Sequence, residues 1–197
     1  MDESQTIQQA QSGDLSAFNR LVMAYQSTAF NVAYRVVGSS DAAADACQDA
    51  FIKAYKSIQQ YQGGSFKSWL LRIVTNTCYD HLRYSKRRPA TSLENLADNP
   101  EEHNTKLVSE SEPPEEQLLR GELGDLIQVG INQLPEDQRV IVVLSDIQGL
   151  SYQEIAEIID QPLGTVKSRL SRGRSRLRDF LLKRQELLPG QYRLKSE

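Results

Sequence analysis

The sequence predicts an all-α chain, two small helical domains joined by a flexible acidic linker. Three observations lead there. Apolar residues recur at steps of three and four over two separate stretches, which is the helical period. Between them lies a segment with no such period, rich in Ser, Asn, Pro and Glu, a composition that cannot bury enough apolar surface to order itself. No stretch of weight alternates with the period of a strand.

The elements follow in order. Phe18, Leu21, Val22, Tyr25, Ala29, Val32, Ala33 and Val36 make one apolar stripe, on a helix of about five to six turns. Gly38-Ser39-Ser40 breaks it, and Asp41 is placed to cap the next helix. That helix carries Cys47, Ala50, Phe51, Ala54, Tyr55 and Ile58 on one side. Gly63-Gly64 interrupts again, and Ser65 opens a third helix with Phe66, Leu70, Ile73, Val74, Thr77 and Leu82 at helical spacing. Its end is basic (Arg83, Lys86, Arg87, Arg88), and Pro89 stops it.

Periodicity is lost from Pro89 to Pro114 and returns near Glu115, with Leu118, Leu119, Leu123, Leu126, Ile127, Ile131 and Leu134. Gly121, Gly124 and Gly130 weaken that helix. Pro135 suits the first turn of the next helix, where its missing N–H costs nothing. Val140, Ile141, Val143, Leu144 and Ile147 follow, and Gly149 ends it. Val140 to Leu144 also fits a short buried strand, but its neighbours favour helix. The resulting boundaries are 1–88, 89–116 for the linker, 117–184, and a tail at 185–197.

The totals exclude several classes. The chain has 197 residues, 39% of them hydrophobic, and no run approaches the ~20 apolar residues that span a bilayer. Its start, MDESQTIQQAQSGD, lacks the basic and apolar blocks of a secretory signal. A cytoplasmic location without membrane insertion is expected. Cys47 and Cys78 have no CxxC spacing, and only His81 and His103 could join them, so they read as buried, inert apolar fillers. No nucleophile–base pair, metal cluster or phosphate-binding loop stands out. The expectation is a protein that is not an enzyme and takes neither cofactor nor metal.

Net charge is −3, which alone speaks mildly against nucleic acid. The charge is segregated, however. Residues 89–116 hold eight acids and one base, net −7, and residues 163–184 hold eight bases and one acid, net +7. Such asymmetry marks a polyanion-binding end behind an acidic spacer.

That basic end has the signature of a helix-turn-helix. Ser151-Tyr152-Gln153-Glu154 is a capping box, and Ile155, Ala156, Ile158 and Ile159 face a core. Asp160 to Gly164 makes a tight turn, after which Thr165 can cap or open the second helix. On that helix Val166, Leu170, Gly173 and Leu177 fall within about 60° of one another. Thr165, Ser168, Arg172 and Ser175 lie opposite, flanked by Arg169 and Arg176. Hydroxyls alternating with arginines suit a major groove. Thr165, Ser168, Arg169 and Arg172 are the candidates for base edges; Lys167, Arg174, Arg176 and Arg178 are candidates for phosphate. In the third helix Phe66, Trp69, Tyr79 and Tyr84 interleave with Lys67, Arg72, Arg83, Lys86, Arg87 and Arg88. This is the pattern of stacking on unpaired bases, although Phe66 and Trp69 read equally as core.

The run DACQDAFIKAY from Asp45 to Tyr55, then FKSWLLRI from Phe66 to Ile73 with Asn76, Asp80 and Arg83, resembles the second conserved region of sigma-70 family factors. LPEDQR (Leu134 to Arg139), GLSYQEIA (Gly149 to Ala156) and GTVKSRL (Gly164 to Leu170) resemble their fourth region. Two such regions alone match the extracytoplasmic-function (ECF) group. The resemblance implies an RNA polymerase sigma factor that recruits core polymerase to −10 and −35 promoter elements and promotes strand opening. It implies polymerase contacts, at the β′ clamp and β flap, with Asp45, Gln48, Asp49, Ile52, Lys53 and Lys56 on the clamp-binding surface at 45–58. It implies −10 contacts by Phe66, Trp69, Arg72, Asn76, Tyr79, Asp80, Arg83, Arg87 and Arg88, and −35 contacts by Thr165, Lys167, Ser168, Arg169, Arg172 and Arg176. A regulating anti-sigma factor, able to hold the protein at the membrane, is implied as well.

The chain departs from the family pattern at Ala46 and Cys47, where bulkier aliphatics are common, which predicts a looser local core. Gly173 stands where Ala is usual, at a cost of about 1 kcal/mol in helix propensity. Two rivals make different demands. A stand-alone activator would not need 45–58 to touch polymerase, and a nuclease or recombinase would need clustered acids for metal.

Overall fold

The computed structural model describes residues 2–87 and 114–184, and among them there are eight α-helices and no strand. Of the expected linker at 89–116, residues 89–113 lie outside the described residues, as do Arg88 and the tail at 185–197, whereas residues 114–116 already open the helix Pro114–Asn132, so the second helical unit begins three residues before 117.

The first unit holds α1 (Glu3–Gln11), α2 (Leu15–Val37), α3 (Ser40–Ser57), a 3-10 turn (Ile58–Gln60) and α4 (Phe66–Arg87). Nothing in the apolar pattern announces α1, yet its boundaries follow local rules. The Asp2 carboxylate accepts from the Ser4 N–H. Gly13 takes φ +98°, and Asp14 then caps α2 by accepting from the N–H groups of Ser16 and Ala17. Gly38, at φ 87°, closes α2 with its N–H on the Tyr34 carbonyl, the left-handed cap that favours glycine. Capping of α3 falls to Ser39, whose hydroxyl accepts from the Ala42 N–H, rather than to Asp41, which sits inside the first turn. Ser65 caps α4 by accepting from the Ser68 N–H at 3.1 Å.

Four buried alanines, Ala43, Ala46, Ala50 and Ala54, form the inner stripe of α3. They let it pack closely against both α2 and α4. Ala46 and Cys47 are thus covered by their neighbours. Against them stand Phe18, Leu21, Val32 and Val36 of α2 and Leu70, Val74 and Cys78 of α4.

The second unit holds α5 (Pro114–Asn132), α6 (Glu136–Val142) running into a π turn (Val143–Ile147), α7 (Tyr152–Ile159) and α8 (Leu163–Leu182). Residues 140–144 are all at most 1% exposed, and they are helical. A helix apolar all round is one buried all round, because α8 packs on one side and α2 of the first unit on another. This is why their sequence also fits a strand.

The two units meet. Their buried residues form one continuous apolar cluster, in which α4 packs on α7 and α2 on α5. Polar contacts line the seam. The Arg35 guanidinium donates to Gln128 Oε1 at 3.0 Å, and Arg139 donates to the Val36 carbonyl at 2.7 Å. Lys67 donates to the Gln148 carbonyl at 3.3 Å. Lys86 pairs with Glu136 at 2.7 Å. Arg139 also donates to the carbonyls of Asn132 and Leu134, so one guanidinium closes backbone groups of both units.

Candidate nucleic-acid interface

The helix-turn-helix is α7, α8 and the turn between them. The Ser151 hydroxyl accepts from the Glu154 N–H while Glu154 accepts from the Ser151 N–H at 2.8 Å. Asp160 turns the chain at φ 51°. Pro162 then starts α8, its carbonyl accepting from the N–H groups of Thr165 and Val166. Thr165 is therefore inside the helix and does not cap it, because the fixed φ of Pro162 places the start two residues earlier.

The inner stripe of α8 is Val166, Leu170, Gly173 and Phe180, with Leu177 half-buried. Lys167, Ser168, Arg172 and Arg176 are exposed, and among the described residues the three cations make no ion pair. Thr165 and Arg169 are half-buried. Arg169 Nε lies 3.1 Å from Asp137 of α6, so this candidate for a base edge is committed within its own unit. Arg174 is likewise anchored, its Nε 3.0 Å from Asp146 in the π turn, which pushes its pKa further up. An open cleft between α7 and α8 is lined by Tyr152, Lys167, Leu170, Ser171, Arg174, Ser175 and Arg178. Lys167, Ser171, Arg174 and Arg178 follow one another at steps of four, three and four, the signal that placed Ser171 there.

On α4 the −10 candidates separate cleanly. At 100° per residue, Trp69, Arg72, Asn76, Asp80, Arg83 and Arg87 fall within about 80° of one another. All are exposed except the half-buried Trp69. Phe66 and Tyr79 lie at its two edges, Tyr79 only about 20° from Arg72, and are set apart by burial. Phe66 is 2% exposed and packs against Tyr25, Tyr61 and Trp69 with ring centroids 5.3–5.6 Å apart. It braces the Trp69 ring and is closed to solvent, which corrects its placement as a nucleic-acid contact. Tyr79 is turned to the seam, where burial pushes its phenol up to about 12. Asp80 accepts from Lys53 at 3.3 Å and lies 3.8 Å from Arg83.

On α3, Asp45, Gln48, Asp49, Ile52, Lys53 and Lys56 are all exposed. Ile52 is 45% and the neighbouring Tyr55 41% exposed, an apolar spot among polar groups. Asp49 bonds His81 at 3.0 Å and Lys53 the Thr77 hydroxyl at 3.2 Å. Two of the six therefore also brace α3 against α4. Both thiols are buried, which raises Cys47 to about 11 and Cys78 to about 12.

A buried apolar frame carrying two exposed polar stripes, one with an aromatic ring and one in a helix-turn-helix, defines a DNA-binding transcription protein. Family models for sigma-70 region 2 and sigma-70 region 4 match residues 21–88 and 125–177. The RNA polymerase sigma-H factor of Pseudomonas aeruginosa is 38% identical over 87% of this chain and 90% of its own. The ECF RNA polymerase sigma-E factor of Escherichia coli is 39% identical over 85% and 88%. Two solved structures share the fold. The sigma factor RpoE of Bartonella quintana, in complex with the anti-sigma factor NepR, has TM-score 0.65 at 26% identity over 85% of this chain and 98% of that one. CnrH, in complex with the cytosolic domain of CnrY, has TM-score 0.61 at 25% identity over 89% and 94%. The chain belongs to the sigma-70 family, in its ECF group. It is a sigma factor that directs RNA polymerase to promoters, and it is not an enzyme. No helix among the described residues is long and apolar enough to cross a membrane.

Proposed function

We propose a division of labour between the two units. Residues 1–88 bind core polymerase through Asp45, Gln48, Asp49, Ile52, Lys53 and Lys56 and hold the melted −10 strand on α4. Residues 114–184 place α8 in the major groove at −35, and 89–113 tether the two. The observation that carries this is the stripe on α4 that sets the half-buried Trp69 in line with the exposed Arg72, Asn76, Asp80, Arg83 and Arg87. It joins a π surface, an amide that can pair with a base edge and guanidinium groups for phosphate. On α8 the same reasoning favours Lys167, Ser168, Arg172 and Arg176, with Ser171 added and Arg169 moved to a bracing role.

RpoE of Bartonella quintana is bound to the anti-sigma factor NepR, and we extend a partner of that kind to this chain, in the cytoplasm. In vitro run-off transcription with core polymerase on a genomic fragment library tests the whole reading. Discrete promoter-dependent transcripts are expected with the full chain. Transcripts that survive Trp69→Ala together with Asn76→Ala would overturn the assignment of the α4 stripe.

A further inference from the structure

Helix α1 ends before residue 21, where the match to sigma-70 region 2 begins, yet it is tied to the head of the α4 stripe. Gln11, the last residue of α1, is half-buried. Its side-chain amide donates to the Tyr61 carbonyl at 2.8 Å and to the Ile58 carbonyl at 3.2 Å, 50 and 47 residues further along the chain. Both acceptors are carbonyls, so only the NH2 end of the amide can make these bonds, and its two hydrogens suffice for both. Towards the other end of α1, Glu3 accepts from the Tyr25 hydroxyl of α2. Arg20 of α2 donates to Gln9 at 2.8 Å. Helix α1 is thereby fixed to α2 and reaches from it to Tyr61 as a strut.

The segment it reaches, Tyr61 to Ser65, has no regular structure, and Gln62 to Ser65 are exposed. Gly63 and Gly64 take φ of 98° and 91°, and nothing beyond their chain neighbours lies within 4 Å of where a Cβ would stand. Packing therefore does not set the shape of this loop; a few hydrogen bonds do. Gln11 holds its start, and the Tyr61 hydroxyl closes it by donating to the Gly64 carbonyl at 2.7 Å. Burial and the Glu3 carboxylate both raise the Tyr61 phenol, which keeps that donor protonated. The Tyr61 ring stands edge-on to Trp69 with centroids 5.5 Å apart. A line of contact thus runs from α1 through Gln11 and Tyr61 to the aromatic ring of the α4 stripe.

We infer that Gln11 is a positioning residue for −10 recognition, holding Tyr61, and through it the Trp69 ring, at the angle from which the melted strand is read. This rests on the α4 stripe being the −10 site. Gln11 acts only through Tyr61. Without its amide the Tyr61 carbonyl turns to water, the loop gains freedom, and Trp69 loses one wall. The loss falls on discrimination between bases more than on folding, because water replaces two neutral hydrogen bonds at small net cost.

The test uses the full chain. Trp69 is its single tryptophan, so fluorescence of the unbound protein reads the surroundings of that ring alone. Gln11→Glu keeps the size of the side chain and turns the donor into a carboxylate, which repels both carbonyls. Tyr61→Phe keeps the ring and removes the bond to Gly64. Each variant should red-shift the Trp69 emission and ease its quenching by acrylamide, at a temperature where circular dichroism shows it folded. With core polymerase, on promoters randomised across the −10 element, Gln11→Glu should compress the ratio between favoured and disfavoured bases by about tenfold, the worth of two neutral hydrogen bonds. Ratios at −35 and affinity for core polymerase should hold. Gln11→Glu with Tyr61→Phe should do no more than Gln11→Glu alone, since both act on one loop. A strut that only stabilised the fold would scale every promoter alike and leave the ratios intact. Folded variants with wild-type emission, or with wild-type −10 ratios where Trp69→Ala alters them, would overturn the inference. Ratios that survive Trp69→Ala as well would overturn the stripe assignment and the inference together.

Discussion

Gly173 of α8 faces Val142 of α6 so closely that a Cβ on the glycine would stand 2.7 Å from Val142 Cγ2. Helix propensity alone favours alanine at this position by about 1 kcal/mol. The packing reverses that sign. Val142 is 1% exposed and β-branched, so it has little room to turn away. Gly173→Ala is expected to destabilise the protein by about 1–3 kcal/mol, read as a lower midpoint in urea unfolding. An unchanged or higher midpoint would show that α6 can retreat.

Gly130→Ala offers a milder comparison. Its Cβ would meet Leu177 Cδ1 at 2.6 Å and Phe180 Cδ1 at 2.8 Å. Leu177 is half-buried and can change rotamer. A loss smaller than that of Gly173→Ala is expected in the same unfolding measurement.

Arg169 and Arg172 should behave differently towards promoter DNA. Arg172→Ala, from an exposed side chain on the outer face, should cost about 1–3 kcal/mol at particular base positions if it reads an edge. Arg169→Ala breaks the pair with Asp137 and should weaken binding evenly across sequences while lowering the melting temperature. Binding to a randomised −35 duplex library separates the two. A base-specific loss from Arg169→Ala would return it to the reading face.

Phe66 and Asn76 make a second contrasting pair. Phe66→Ala empties the centre of the Tyr25–Tyr61–Trp69 cluster and should cost about 3–5 kcal/mol of stability. Asn76→Ala removes only an exposed amide, so the melting temperature should hold while permanganate reactivity of melted promoter falls. Equal melting temperatures for the two variants would contradict this reading of the cluster.

The buried thiols set an alkaline limit. Both titrate near 9 in an exposed setting and are raised by burial, to about 11 for Cys47 and about 12 for Cys78. A raised folded-state value means that the stability is intact below about pH 9 and is lost as pH climbs towards the folded values. The unfolding midpoint should therefore fall between about pH 9 and 11, and Cys47→Ala with Cys78→Ala should flatten the decline. At neutral pH both thiols should resist a disulfide reagent until the chain is unfolded.

The core stripes of α2, α4 and α8 were legible because helical period is a local property of the chain. Caps were legible only where one candidate stood alone. At Ser151 the box is unambiguous, whereas Ser39 and Asp41 compete, and the left-handed Gly38 just before decides for Ser39. Helix α1 escaped because its buried side is only Thr6, Ile7 and Ala10, too few for a stripe. The bracing role of Arg169 depends on Asp137, thirty-two positions earlier, and no spacing rule spans that distance. The same limit hid the seam, whose partners Arg35 and Gln128 are 93 residues apart.

The π turn at Val143–Ile147 adds one residue to the helical count between α6 and the helix-turn-helix. Each residue of an α-helix advances the chain by about 100°. Deleting one residue here would leave the composition almost unchanged and let the turn relax into regular helix. Everything downstream would then leave α6 rotated by roughly that angle, and Asp146 would swing away from Arg174. The bulge thus works as a phase setting, fixing the direction from which the reading head leaves its support.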